Sequence, residues 1–424
     1  MEKTTLPNGL RILLEEEEHA KTASVGMWIG AGSRMEAPEQ SGISHFVEHI
    51  LFKGTATYSA FDIAEAMDSI GAQFNAYTTK EYTCFYLRVL DIHLEKAVDV
   101  LFDMLTQSKL DTNDIELEKG VIIEEIGMYE DSPEDLMADS LYNIVWPENM
   151  LGKPILGSRE TVQAVTVGSL KAYMQQYYTP ERMVFSASGK FERSMLLAKL
   201  EQYFGALVNQ GSPLTAQAAG YKGGVSRINR DFEQINLCVA FPSIALHESR
   251  RYALSILNHV VGASSSSRLF QRIREELGLA YSVGSSCASF LHEGIFVVDM
   301  GVSLEQEEAA LRELCLVLQE IKQNGLTQRE FERVRRQITA GTIMSSESWM
   351  SRASHNGRSE LLENRVLTYE ELVECINRVT LEEVNSLAAE LFDFEQASVV
   401  AVGKDTHDEE FYRGILNAYS NRAI

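Results

Sequence analysis

The sequence predicts an α+β fold: two duplicated α/β sandwich domains, each an antiparallel-rich sheet with helices packed on one side. Three observations predict it. The chain has 424 residues, which suits two domains of about 200 residues each. Hydrophobic residues make up 45% of it, enough for two packed cores. Residues 166–190 and 380–404 repeat one order of elements. Each opens on a threonine able to cap a helix, Thr166 or Thr380, and each ends in a β-rich run closed by Gly-Lys. Residues 110–125 align in the same way with 326–341. Domains are therefore expected at 1–208 and 226–424. A Gly/Ala/Ser-rich linker at 209–225 carries Gly211, Pro213, Gly220, Gly223 and Gly224.

Alternation and β-branched content predict strands at 23–29 and 82–90 in the first half. The second half has them at 235–241 and 294–300. Long helices are expected at 94–109 and 306–324. Glu15-Glu16-Glu17-Glu18 reads as a solvated strand end.

His45-Phe46-Val47-Glu48-His49 is an H-x-x-E-H box. On a helix its histidines sit at i and i+4, on one face, where two imidazoles can bind one Zn²⁺. Glu48 shares that face and can take a proton from a water held by the ion. Gly42 and Ser44 precede the box as a loop entering a helix. The apolar residues Ile43, Phe46, Val47, Ile50, Leu51 and Phe52 require that helix to be largely buried, so its polar side chains need partners. A tetrahedral catalytic site wants a third protein ligand. Its best source is the Pro-free segment 110–130, a helix capped by Thr112 or Asn113 and buried around Ile122, Ile123 and Ile126. Glu118 and Glu125 share one face of it, and Glu124 falls off that face.

This pattern resembles the inverted zinc-protease family, whose members include pitrilysin, insulin-degrading enzyme and the β-subunit of mitochondrial processing peptidase. The likeness covers nearly the whole chain, from Leu6-Pro7-Asn8-Gly9-Leu10 through Phe52-Lys53-Gly54-Thr55 into the second half, and the length fits the short branch. The resemblance implies that His45, His49 and Glu125 bind one zinc ion per chain. It implies that Glu48 is the general base and that Glu118 is a carboxylate behind the ligands. It extends to Asn75, Ala76 and Tyr77, a strand that would hold an extended peptide by β-augmentation. It also extends to Arg274 and Tyr281, a pair that would close over substrate from the other domain of a clamshell. There Arg274 would hold a peptide carbonyl and Tyr281 would stabilise the oxyanion. The second copy lacks this chemistry: Val334 stands for Glu118, Gly341 for Glu125, and residues 252–262 keep only Asn258-His259.

A formal charge of −23 argues against nucleic acid and suits basic peptides. No apolar run reaches the roughly 18 residues a membrane helix needs. Five cysteines, none in a C-x-x-C, suit a reducing compartment. The start shows neither a signal h-region nor an Arg-rich presequence, so a cytoplasmic, bacterial protein is expected. The serine run 264–267 lacks the partners of a serine nucleophile. The expected function is a zinc endopeptidase acting on unfolded or short peptides in a closed chamber, with a homodimer as the expected assembly. The alternative is a non-catalytic subunit or scaffold of a heterodimeric processing peptidase, which would be expected to have a damaged box.

Overall fold

A computed structural model describes residues 1–209 and 216–420. Gly211 and Pro213 of the expected linker lie outside the described residues. The first sheet holds β1 (Glu2–Thr5), β2 (Arg11–Glu16), β3 (Thr22–Ile29), β4 (Gln73–Thr78), β5 (Thr83–Leu90) and β6 (Met183–Gly189). The second holds β7 (Val225–Asn229), β8 (Ile235–Ser243), β9 (Ala280–Ser289), β10 (Gly294–Val302) and β11 (Ser398–Gly403). The helices used below are α1 (Ile43–Leu51), α2 (Leu94–Gln107), α3 (Thr112–Asp131), α4 (Pro133–Val145) and α5 (Val167–Tyr177) in the first half. The second half contributes α6 (Arg251–Val261), α7 (Glu307–Asn324), α8 (Gln328–Ser345), α9 (Trp349–Glu363) and α10 (Leu381–Leu391).

The strand orders are β1-β2-β6-β3-β5-β4 and β7-β11-β8-β10-β9. Apart from β1 they are the same order. β2 and β7 each run parallel to the last strand of their half, β6 and β11, and every other pairing is antiparallel. The repeat seen in the sequence is thus a repeat of topology. The expected caps are present too: Thr166 and Ser169 form a capping box at α5, and Thr380 and Glu383 form one at α10.

The chain forms two compact units. The first comprises Met1–Ile126, Lys153–Ala216 and Met344–Thr368; the second comprises Gly127–Gly152, Gln217–Ile343 and Tyr369–Ile424. Each unit therefore includes one helical segment from the other half of the sequence, so the units do not coincide with a division at 209–225. The physical reason lies in the sheets. Both faces of β3 are buried. Val25, Met27 and Ile29 face the main core with α1 and α2, where Phe102 meets Phe185 and Phe204 edge to face. Ser24, Gly26 and Trp28 face the other way, and α9 covers them. In the second unit Leu237, Val239 and Phe241 face α6, α7 and α10. Cys238, Ala240, Val400 and Val402 face α4, with Met137, Leu141 and Val145. Each sheet is thus clothed on both faces, not on one as the sequence suggested. Tyr221, from the end of the expected linker, packs edge-on against Trp146 in the second unit.

Side chains of the first two strands fasten α9. Glu360 is buried and takes ion pairs from Lys3 at 2.8 Å and Arg11 at 3.3 Å. Arg352 pairs with Glu15 at 2.7 Å, so Glu15 is not part of a merely solvated strand end. Two expectations for α3 also change. Its cap is Asp111, whose Oδ1 accepts the Asn113 N–H at 2.8 Å, not Thr112 or Asn113. It buries one stripe, Ile115, Glu118, Lys119, Ile122 and Ile126, and leaves Leu117, Val121 and Met128 exposed.

Trp28 lies between two glycines. A Cβ on Gly357 of α9 would stand 2.2 Å from the indole Cε3, and one on Gly26 would stand 2.6 Å from Cη2. Alanine in a helix normally gains about 1 kcal/mol over glycine. At position 357 overpacking against a fully buried ring outweighs that gain. Gly357→Ala is expected to lower stability by about 1–3 kcal/mol in urea unfolding. Gly341→Ala, exposed in α8 with nothing near its Cβ, is expected to raise it by up to about 1 kcal/mol.

Candidate metal centre

Gly42 opens α1 with a φ of 93°, and a Cβ there would meet the Leu156 carbonyl oxygen at 2.4 Å. A glycine offers no capping side chain. Glu36 caps the helix instead: its Oε2 accepts the Gly42 N–H at 2.7 Å and its Oε1 the Ser44 N–H at 2.8 Å. Burial pushes Glu36 up to about 7, against the pull of those hydrogen bonds. Ser44 Oγ meets the buried Tyr173 hydroxyl at 2.7 Å, which ties α1 to α5.

The box forms the helix the sequence predicts. The rings of His45 and His49 stand 4.4 Å apart, centre to centre. Glu125 Oε2 lies 3.8 Å from His45 Nε2 and 3.7 Å from His49 Nε2. Those separations are too long for hydrogen bonds. They approach the roughly 3.4 Å between two ligands that each sit about 2.1 Å from one tetrahedral ion. The ligand atoms of all three residues lie within 4.8 Å of one another. Among the described residues no second trio of His, Cys, Asp or Glu does so.

The surroundings suit a divalent cation. Glu118 stands behind His49, with Oε1 2.8 Å from Nδ1 and Oε2 2.6 Å from Lys53 Nζ. A proton on Nδ1 donated to Glu118 leaves the Nε2 lone pair facing Glu125. Glu48, Glu118 and Glu125 against Lys53 are three minus charges and one plus, a net of two minus. Burial, with His49 adding to it, pushes His45 down to about 3, so its imidazole is neutral and able to ligate. Burial also lowers His49, but its hydrogen bond to Glu118 and the nearby carboxylates outweigh that and raise it. Burial raises Glu118 as well, yet His49 and Lys53 bring it below its ordinary value. Glu48 is raised by burial, against a hydrogen bond from Thr78 Oγ1 to its Oε2 at 2.6 Å. Zinc therefore fits His45, His49 and Glu125. The competitor Glu124 is exposed.

The structure brings His45, Glu48, His49, Glu118 and Glu125 together. Asn75, Ala76 and Tyr77 lie on β4, which ends its sheet and, among the described residues, pairs with β5 alone. Asn75 is exposed, Ala76 is buried, and Tyr77 packs edge-on between Tyr82 and Tyr86. Arg274 and Tyr281 belong to the second unit. Arg274 sits in a π-helical turn with its guanidinium over the Phe270 ring at 4.7 Å, and Tyr281 is 68% exposed near the start of β9. In α6, His259 Nδ1 donates to the Ser255 carbonyl at 2.9 Å, the packing role its sequence context suggests. Sequence reasoning gave no role to Glu36, Thr78 or Lys53. Lys53 could have been found, being one turn beyond His49. Glu36 had only an indirect signal, a helix beginning on a glycine that cannot cap it.

Comparison with known proteins gives a consistent picture. Residues 11–159 match the family described as insulinase, peptidase family M16, and residues 164–338 match the peptidase M16 inactive domain. An uncharacterized zinc protease of Bacillus subtilis is 41% identical, over 94% of this chain and 97% of its own length. One of Streptomyces coelicolor is 36% identical, over 92% and 86%. In fold, the chain resembles a peptidase M16 inactive domain from Pseudomonas fluorescens (TM-score 0.89, 19% identity, covering 96% and 99%). It also resembles a protease from Helicobacter pylori (TM-score 0.87, 20% identity, covering 95% and 99%).

Glu118→Gln is expected to weaken zinc binding about 10- to 100-fold, read by competition against a chelator. Glu125→Gln should weaken it further, and Glu124→Gln should leave it unchanged.

Proposed function

The chain belongs to peptidase family M16, and on that footing we propose that it is a zinc endopeptidase that cleaves unfolded or short peptides with Glu48 as its general base. The observation that carries this reading is the convergence of His45 Nε2, His49 Nε2 and Glu125 Oε2, with Glu48 on the same helix face. When bound there, one zinc ion per chain would acidify a water and polarise the scissile carbonyl. Glu48 takes the proton of the attacking water and passes it to the departing amine. Its raised affinity for protons, from burial, suits a group that must both accept and release one. Glu118 orients His49, and Lys53 keeps Glu118 ionised.

The proposal extends to the substrate. The free edge of β4, with Asn75, Ala76 and Tyr77, pairs with an extended peptide backbone, which tolerates varied side chains. Arg274 and Tyr281 meet the bound peptide, Arg274 at a carbonyl and Tyr281 at the oxyanion, inside a closed chamber. Their exposed guanidinium and hydroxyl support that role. The charge of −23 supports a preference for basic peptides. The protein acts as a homodimer in the cytoplasm, and its bacterial relatives support a bacterial source. No helix among the described residues is long and apolar enough to cross a membrane.

The test is cleavage of a quenched, basic, unstructured peptide by zinc-stripped and zinc-restored protein. Restoring zinc is expected to restore cleavage. Glu48→Gln should keep its zinc and lose at least about 100-fold in rate. Stoichiometric zinc with no cleavage of any peptide would refute the peptidase reading.

A further inference from the structure

We propose that Thr78 is a positioning residue for Glu48, and that it joins the base to the strand that would hold the peptide. The proposal rests on the reading of Glu48 as base. Thr78 is the last residue of β4, directly after Asn75, Ala76 and Tyr77. Its Oγ1 lies 2.6 Å from Glu48 Oε2 and 3.4 Å from Thr83 Oγ1. The direction of the proton follows from the next link. Thr83 Oγ1 donates to the Ala31 carbonyl at 2.8 Å, and a hydroxyl has one proton, so toward Thr78 it can only accept. Thr78 therefore has one proton and two acceptors. The near one is a carboxylate, and the short, charge-assisted bond goes to Glu48.

Two consequences follow. With Oε2 held by Thr78, Glu48 presents Oε1 to a water, and its side chain keeps one orientation. Thr78 also sits on the strand whose other residues would pair with substrate. Ala76 and Thr78 point to one face of β4, toward the core that α1 shares. Asn75 and Tyr77 point to the opposite face. A peptide added along this edge braces the backbone that carries the hydroxyl, and the hydroxyl braces the base. Substrate pairing and placement of the base are one mechanical unit.

Thr78→Val keeps the β-branched shape and removes the donor. Its kcat is expected to fall about 10- to 100-fold, the worth of a hydrogen bond to a buried charge. Its KM, zinc affinity by chelator competition and thermal midpoint should stay near wild type. Thr78→Ser restores the hydroxyl and should recover kcat to within about 3-fold. In a Glu48→Gln background, Thr78→Val should cost nothing more, because the group it positions is already gone. Wild-type kcat in Thr78→Val, a serine variant as slow as the valine one, or losses that multiply in the double variant would each overturn the proposal. A fall in kcat matched by a lower thermal midpoint in both the valine and the serine variants would make Thr78 structural and overturn it as well. Wild-type activity in Glu48→Gln would sink the reading of Glu48 itself, and the proposal with it.

Discussion

A buried helix that carries two imidazoles and a carboxylate is the constraint on which the first unit depends. Each polar group taken out of water must be met by another, or it costs several kcal/mol. The unit meets them one by one. Glu36 takes the amides at the start of α1, Glu118 takes the outer nitrogen of His49, Lys53 takes the far oxygen of Glu118, and Thr78 takes Glu48. These partners come from a loop, a second helix, the end of α1 and an edge strand. Three stretches of chain outside α1 must therefore be in place before it can be buried, and this explains why the unit is organised around it. The equivalent helix of the second copy, α6, buries Leu254, Ile256, Leu257, Val260 and Val261 with one polar residue, Asn258, whose Oδ1 accepts from Ser285 at 2.6 Å.

Duplication solves a different problem. A mostly antiparallel sheet can leave one face to water. Here neither sheet does, because the helix after α3 and its counterpart after α8 each join the unit of the other half. The face under α9 has Ser24, Gly26, Ser186 and Ser188 beside the larger Leu13, Trp28 and Val184, and a helix with Ala353 and Gly357 comes close to it. The face under α4 is aliphatic and aromatic, with Trp146 among Tyr142, Tyr221 and Phe290. The two exchanged helices thus bury by different means: one by close approach of small residues, the other by filling space with large ones.

Much of this was legible in the sequence, for identifiable reasons. The zinc box shows itself because helical spacing alone puts its members on one face. The strands at 23–29, 82–90, 235–241 and 294–300 show themselves by alternation and by β-branched and aromatic content, and each lies within an observed strand or overlaps it but for one residue. The exchange was not legible. An amphipathic pattern says that a helix has an apolar face but not which sheet that face meets. Thr78 and Glu36 were hidden for a related reason. Their partners are distant in sequence, and nothing in a Thr at a strand end or a Glu in a loop announces what it will bond. The cap of α3 slipped by one residue because Asp111, Thr112 and Asn113 are all good caps, and only the backbone decides among them.

The two histidines show what the surroundings contribute beyond the box. They are chemically identical and one turn apart, yet burial pushes His45 well down while Glu118, Glu125 and Glu48 raise His49 against its own burial. His45 Nδ1 has no hydrogen-bond partner among the described residues, whereas His49 Nδ1 is fixed by Glu118. A cation entering between them meets one ring without a fixed partner and one whose orientation a carboxylate sets. Lys53 acts on the same carboxylate: against burial, it and His49 hold Glu118 below its ordinary value, ionised and able to orient the ring. The network behind His49 therefore fixes the orientation of that ring and the nitrogen it turns toward Glu125, which the H-x-x-E-H box alone does not.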